Sequence, residues 1–384
     1  MEPAVDVIVI GLGAMGSATA MHLAERGYRT RSFDQFAPPH KEGSSHGKSR
    51  IFRQAYFEDS RYVPMLLRAF ELWSKLERDA EQRLLHLSGA LVIGKNTGGL
   101  VSRSAESARQ FHLPHQMLDS AELRRRYPVL AVSDDSWALL EQNAGYLIPE
   151  DCIEQQMRQA ARSGAQLHLN EPVLEWSAAP GETGVVVRTS RATYTAERLI
   201  ITAGPWAPRI LAALGLPLRV TRQVLYWFAP RGSLDAFRDD RLPVYLFEPA
   251  AEQPLLYGFP LTGADSEGVK VALHGTEELC TPESVCREIR PEDEQSIRHR
   301  LETTLPMLAG RLVRAETCLY TMTPDEHFMI GVHPQHPAVT LAAGFSGHGF
   351  KFAPVIGELL TDLATTGKTK YDLGLFALDR KLTS

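Results

Sequence analysis

Two glycine-rich runs in this 384-residue chain have the types and spacing to do chemistry, and each stands where a strand hands over to a helix. The first is Gly11-Leu12-Gly13-Ala14-Met15-Gly16. Its first glycine permits a tight turn, its second lets backbone amides approach a pyrophosphate, and its third allows close helix–strand packing. The helix that follows offers unpaired N–H groups and the positive end of its dipole to phosphates. Asp34, at the end of the next strand, stands where a carboxylate accepts hydrogen bonds from a ribose. Strand, glycines, helix and acid together predict a bound dinucleotide. The second run is Ala342-Ala343-Gly344-Phe345-Ser346-Gly347-His348-Gly349-Phe350-Lys351-Phe352. Its glycines let backbone come close to a ligand, and the helix after them points its N-terminus at that ligand. A flavin reduced by two electrons carries negative charge on its pyrimidine side, which such a helix end stabilises. Phe345, Phe350 and Phe352 are too apolar for an exposed loop.

The elements that must position these runs follow from periodicity. Val5–Ile10 reads as a buried strand, Ser17–Arg26 as an amphipathic helix closed by Gly27, and Tyr28–Phe33 as a second strand, a βαβ opening. Residues 37–48, rich in Pro, Gly, Ser and His, read as a loop, and 62–76 as a helix with apolar residues at helical spacing. A helix over 152–163 leads into a strand at 166–169. Strands follow at 184–188, 193–195 and 198–201. Residues 216–314 have the texture of a different lobe, with strand-like runs at 223–228, 244–247, 255–259 and 270–273. The tail returns to a strand over 338–343 and a helix to about residue 364. The fold class expected is α/β: a discontinuous Rossmann-like dinucleotide-binding domain (1–83, 145–215 and 315–384) plus a substrate domain on a mixed β-sheet with helices (84–144 and 216–314). A GLGAMG opening also resembles NAD(P)-dependent 3-hydroxyisobutyrate-type dehydrogenases. Those enzymes continue into an all-helical second domain, whereas the middle of this chain is strand-rich.

Composition excludes other classes. The net charge of −5 gives no basic face for nucleic acid, and no apolar run is long enough to span a bilayer. Cys152, Cys280, Cys286 and Cys318 make no CxxC pair, so neither a zinc site nor a redox dithiol is expected. No basic segment precedes the first apolar stretch, and a reducing, cytoplasmic setting is the default.

Several separate motifs together carry a family resemblance along nearly the whole chain. They are Gly11 to Gly16; Pro38-Pro39-His40 with Gly43-Ser44-Ser45-His46-Gly47-Lys48-Ser49-Arg50-Ile51-Phe52-Arg53; Tyr257-Gly258-Phe259-Pro260; Cys318-Leu319-Tyr320-Thr321-Met322-Thr323-Pro324-Asp325-Glu326-His327-Phe328; and Gly344 to Phe352. The chain resembles the monomeric sarcosine oxidase and N-methyltryptophan oxidase family, which includes pipecolate oxidases. The resemblance implies FAD, singly tethered from its 8α-methyl through a thioether to Cys318. It implies cofactor contacts from Gly11, Gly13, Ala14, Met15, Gly16, Asp34, Ser45, Ser49, Arg50, Val173, Gly204, Gly347, His348, Gly349 and Lys351. Arg53 and Lys351 match the pair that holds the substrate carboxylate, a geometry that orients an amine over the flavin. Arg50 matches an arginine against the flavin ring, and Lys270 the lysine that activates dioxygen. Taken by itself, Lys270 fits an exposed position on an edge strand. Tyr257, His274, Tyr320 and His348 match residues lining the site.

The implied reaction is oxidation of a secondary amino acid, N-methyl or cyclic, by hydride transfer to flavin N5. Hydrolysis of the imine follows, and dioxygen is reduced to hydrogen peroxide. The implied partners are a small amino acid and dioxygen, with the protein a monomer. Three positions depart from the family pattern. Ser45 replaces a usual histidine, Lys48-Ser49 replaces Asp-Thr, and Gly331 replaces a common Asp. The first two alter polarity beside the flavin and bear on substrate preference. A flavin-dependent dehydrogenase using another acceptor, an NAD(P)-dependent enzyme and a non-catalytic flavin-binding subunit are the alternatives.

Overall fold

A computed structural model describes residues 4–179, 184–248, 254–275 and 278–381. Its first sheet has eight strands. Val5–Ile10 lies at the centre, paired in parallel with Thr30–Phe33 on one side and with Thr193–Ile201 on the other. Gln166–His168 extends the parallel row beyond Thr30–Phe33, and His336–Ala343 extends it beyond Thr193–Ile201. Val173–Ala178, Val185–Thr189 and Met329–His333 add antiparallel edges. The near-continuous apolar runs of the central strands suit burial on both faces. The expected strands at 193–195 and 198–201 are one strand. Its first half pairs with Val185–Thr189 and its second half with His336–Ala343.

The carboxyl ends of four parallel strands open on one cleft, through Ile10–Gly11, Phe33–Asp34, Thr202–Gly204 and Ala342–Gly344. That edge is where open α/β sheets bind ligands. The helix Ala14–Glu25 is buried from Ala14 to Ala24, which its run of small residues permits. Gly357, in the helix Ala353–Thr366, lets the two helices cross closely, because a Cβ there would lie 2.6 Å from the carbonyl carbon of Ala18. The amphipathic helix Val63–Ala80 turns Leu66, Ala69, Trp73 and Leu76 inward. Its Trp73 Nε1 donates to the carbonyl of Lys351 at 3.0 Å.

The second sheet has nine strands. Arg219–Phe228 pairs antiparallel with Leu312–Met322 along its whole length and with Val269–His274 at its far end. Leu255–Gly258, Val244–Phe247, Ala90–Lys95, Ser136–Glu141 and His115–Asp119 continue the sheet. The expected domain boundary at residue 315 falls inside Leu312–Met322, whose pairing with Arg219–Phe228, continuous from Arg314 to Met322, places Cys318 in this second sheet. Arg50–Phe52, Gly145–Leu147 and Leu85–His86 form a small third sheet between the two. A helix over Pro291–Thr304 was not expected, because only Ile297, Leu301 and Thr304 of its fourteen residues are buried.

Alternation divides the second sheet into two chemistries, since side chains at i and i+2 and directly paired residues share a face. Val224, Tyr226, Phe228, Val269, Val271 and Leu273 turn to an apolar core. Register puts Leu225, Trp227, Lys270, Ala272, His274, Tyr257, Cys318 and Tyr320 on the opposite face, toward the first sheet. The close crossing of the two helices is testable. Gly357→Val should cost about 1–3 kcal/mol by overpacking, read as a lower thermal unfolding midpoint. An unchanged midpoint would show that the helices can separate freely.

Candidate active site

The cleft at the strand ends encloses about 1300 Å³, its mouth included. Gly11 has φ +90°, and a Cβ there would lie 2.5 Å from the carbonyl oxygen of Thr202. A Cβ on Gly16 would strike the Gly11 carbonyl at 1.7 Å, so both positions exclude any side chain. Gly13 differs: a Cβ there meets only Ser45 Oγ, at 3.7 Å, and its bareness leaves room for a ligand. The helix Ala14–Glu25 has no cap from Gly13, and Ser45 Oγ accepts only a long 3.4 Å bond from Ala14 N. Asp34 accepts from Leu12 N at 2.8 Å with one oxygen and from Phe36 N at 2.9 Å with the other. Each oxygen keeps a lone pair for a ligand in the cleft that Asp34 lines. The wall also includes Ala14, Met15, Val173, Gly204, Tyr320, Thr321, Gly347 and Gly349, and it reaches Arg50.

Behind Arg50 lies a buried polar cluster. Arg50 Nη1 donates to the carbonyl of Ser49 and Nη2 to that of Ser44, both at 2.8 Å, and Nη2 also reaches Cys318 Sγ at 3.7 Å. Lys270 is 1% exposed and belongs to an interior strand, so the exposed edge position does not occur. Its Nζ donates to the carbonyls of Gly47 at 2.6 Å and Ser49 at 2.8 Å, and lies 4.8 Å from the Phe259 ring centre. Burial, and then Arg50, push its pKa well below the usual lysine range. Burial alone would raise the Cys318 thiol. His46, and then Arg50 and Lys270, outweigh burial and bring the thiol down to about 7. Burial opposes a charge on His46, but Cys318 and Glu316 carry its pKa up to about 9. Its Nδ1 lies 3.6 Å from Glu316 Oε2.

A second cluster surrounds Tyr56. The Arg53 guanidinium lies between the Tyr56 and Phe57 rings, 4.2 and 4.0 Å from their centres. Its Nη2 donates to both oxygens of Glu58, at 2.5 and 2.7 Å. Burial would raise the Glu58 carboxyl, but Arg53, His348 and Lys351 hold it down at about 2. Lys351 Nζ donates to the carbonyl of His348 at 2.6 Å and to Tyr56 OH at 3.3 Å. Burial, and then Arg53, lower its pKa to about 7. His348 is neutral, pushed down by burial to about 3. Its Nε2 donates to the carbonyl of Glu326 at 2.9 Å, which leaves Nδ1 to accept from Tyr56 OH at 2.6 Å. His274, pushed by burial to about 4, packs on Tyr320, whose hydroxyl lies 3.4 Å from that of Tyr257.

The family model described as FAD dependent oxidoreductase matches residues 6–363. The chain belongs to the FAD-dependent oxidoreductase family. Within it, this oxidoreductase is 47% identical to a monomeric sarcosine oxidase of Streptomyces avermitilis, over 98% of its length and 97% of the relative's. It is 33% identical to an N-methyl-L-tryptophan oxidase of Yersinia pestis over 98% and 99%. Among solved structures it is similar to NikD, described as an unusual amino acid oxidase essential for nikkomycin biosynthesis. That match has a TM-score of 0.84 at 25% identity, covering 97% of both chains. These findings set aside the NAD(P)-dependent alternative.

The residues present fit FAD. The open helix end, the bare Gly13 and the free lone pairs of Asp34 suit a dinucleotide. Thr321, which lines the cleft, has its Oγ1 buried without a hydrogen-bond partner, as a group awaiting a ligand has. Of the expected residues, Lys270, Cys318, Ser49 and Tyr257 gather behind Arg50, and Arg53, Lys351, His348 and His274 gather on the side of Tyr56. None of these eight lines the cleft itself. Sequence reasoning assigned no role to His46, Tyr56 or Glu58. His46 stood inside a quoted motif, and an acid five residues after Arg53 was the available signal for Glu58. The cysteine–histidine pair has a direct test. In flavin-free protein, the thiolate absorbance that Cys318→Ser removes should rise through pH about 7. His46→Asn should move that midpoint up, toward the ordinary ~8.5 or beyond. A midpoint unmoved by His46→Asn would deny the pairing.

Proposed function

We propose that this oxidoreductase is an oxidase of secondary amino acids, N-methyl or cyclic, carrying FAD on Cys318 and using dioxygen as acceptor. The observation that carries the reading is two cations, Arg53 and Lys351, buried against one tyrosine ring, 4.2 and 5.1 Å from its centre. Beyond Tyr320 and Gly347 lies the cluster of Arg50, Lys270 and Cys318. A carboxylate held at the first group orients its amine toward the second. The names of the two relatives, sarcosine oxidase and N-methyl-L-tryptophan oxidase, support the substrate class.

Bound FAD supplies the hydride acceptor and the electrons for dioxygen. The chain's own residues do the rest. The N–H groups of Ala14, Met15 and Gly16 receive the pyrophosphate, with Ser45 beside them, and Asp34 a ribose. Val173, Gly204, Gly347 and Gly349 complete the cofactor's walls, with Ser49 behind them. Cys318, ionised near neutrality, would hold the flavin through a thioether. Arg50 favours negative charge on the reduced ring. Lys270, in its protonated form, would place a positive charge where dioxygen is reduced. Tyr257, Tyr320, His274 and His348, all uncharged, shape a pocket that excludes water around the amine. The same reading has the protein act as a monomer, as the relative's name suggests, and in the cytoplasm, in keeping with four unpaired cysteines.

A peroxide-coupled screen of secondary amino acids tests the activity. Turnover with N-methyl or cyclic amino acids is expected, and oxidation of none of them would overturn the reading. After acid precipitation the yellow colour should stay with the polypeptide and should leave it in Cys318→Ala. Lys270→Met should slow flavin reoxidation by dioxygen roughly 10²-fold or more. Unchanged aerobic turnover would point to a different acceptor.

Lys351 sets a pH dependence. Its pKa near 7 in the ligand-free protein rises when a carboxylate arrives beside it, so binding above that pH takes up a proton. The Kd of a carboxylate ligand should therefore climb above pH about 7, by up to about tenfold per unit. Lys351→Met should bind more weakly and lose most of that dependence.

A further inference from the structure

We propose that Glu141 is a positioning residue for the carboxylate clamp: its buried side chain fixes the peptide that follows Arg53 and so fixes the guanidinium. The inference rests on reading Arg53 as part of that clamp. Residues 53–59 lie outside helices and strands, so no ladder satisfies their amides. Glu141 ends the strand Ser136–Glu141, where its backbone pairs with Ala90 and His115 in the second sheet. Its carboxylate takes Gln54 N at 2.8 Å on one oxygen and 3.0 Å on the other, and Ala55 N at 2.9 Å. Two successive amides thus converge on one carboxylate, itself 2% exposed.

Arg53 depends on that peptide. Its Nη1 donates to the carbonyl of Ala55 at 3.2 Å, and the two rings that enclose it belong to Tyr56 and Phe57, the next residues along. Among the described residues Glu141 makes no ion pair within 4 Å. It holds the loop through backbone alone and leaves the guanidinium N–H groups to Glu58 or to an incoming carboxylate. Glutamine would not serve, because its NH₂ would face a backbone N–H. Glu141 stands apart from the FAD cleft, so its loss should not touch the cofactor.

The test compares holoenzyme and Glu141→Gln above pH about 7, where the native side chain is ionised. Ligand binding is read from flavin absorbance, with a substrate-like carboxylic acid and with an amine lacking the carboxylate. The variant should keep its flavin content and spectrum. It should weaken the acid about tenfold or more, as a misplaced binding group does, while the amine's affinity stays within about threefold. KM should rise with kcat little changed, and Glu141→Asp should show the same selectivity in smaller measure. Equal effects on both ligands, or on neither, would overturn the inference. If the wild-type protein itself fails to prefer the acid, the clamp reading is what fails. Should neither variant fold, hydrogen exchange in the wild-type protein decides. Slow exchange at Gln54 and Ala55, unchanged by ligand, is expected, and exchange as fast as an exposed loop would overturn the inference.

Discussion

The structure turns on gathering four cations, three of them buried, at the cleft and behind it. Arg53, Lys270 and Lys351 lie out of water and Arg50 is half-buried at the cleft, and each costs desolvation and repels its neighbours. Carboxylates offset little of this directly, since among the described residues only Arg53 has one in contact, Glu58. The rest falls to backbone carbonyls: Gly47 and Ser49 for Lys270, Ser44 and Ser49 for Arg50, His348 for Lys351. Those carbonyls sit in the two glycine-rich loops that border the cleft. The loops must therefore fold around the cations, and the cations stay protected only while the loops hold their shape. Gly47 and Gly347, both in the left-handed region, make that wrapping possible. A Cβ on Gly47 would lie 2.5 Å from Leu225, and one on Gly347 would lie 2.3 Å from Tyr320.

The second sheet supplies the other half of the arrangement through its period of two. A single strand, Val269–His274, sends three apolar side chains to a core and Lys270, Ala272 and His274 to the site. Leu312–Met322 does the same for Cys318 and Tyr320. A one-residue slip in either register would carry the lysine or the cysteine into the apolar core, so correct pairing and a competent site are the same requirement. Lys270 is held in place by its neighbours as firmly as by its own bonds.

Much of this was legible from residues alone, and the limits have physical causes. The βαβ opening was plain because turn glycines, a buried strand and an acid at fixed spacing have few alternative uses. The strand at 244–247 matched because β-branched and aromatic residues are bounded there by a proline and an acid. The helix Pro291–Thr304 was missed because two apolar residues do not make a stripe. The boundary at 315 cut a strand because alternation in Leu312–Met322 is masked by polar residues that face the site. Lys270 illustrates the same masking: a charged residue in an alternating strand reads as solvent-facing, whereas here its face meets a second layer of protein. Partnerships between distant segments, such as His46 with Cys318 or Glu141 with Gln54 and Ala55, leave no local signature. Only the fold reveals them.

The cation cluster also explains why a thiol belongs on that strand. In the flavin-free protein Cys318 lies among His46, Arg50 and Lys270, which is why its pKa falls against the pull of burial. On the proposed attachment, thiolate becomes thioether and that counter-charge disappears. His46 then loses the partner that most raises its pKa and keeps Glu316 alone. Arg50 stays charged, whereas Lys270, already pushed well below the usual lysine range, loses one of the groups that support its charge. The positive field at the end of the cleft is then less neutralised, and a redox ring that gains negative charge on reduction is what that field would stabilise. Attachment and catalysis would thus draw on the same buried charge in succession, first to ionise the sulfur and then to favour the reduced flavin.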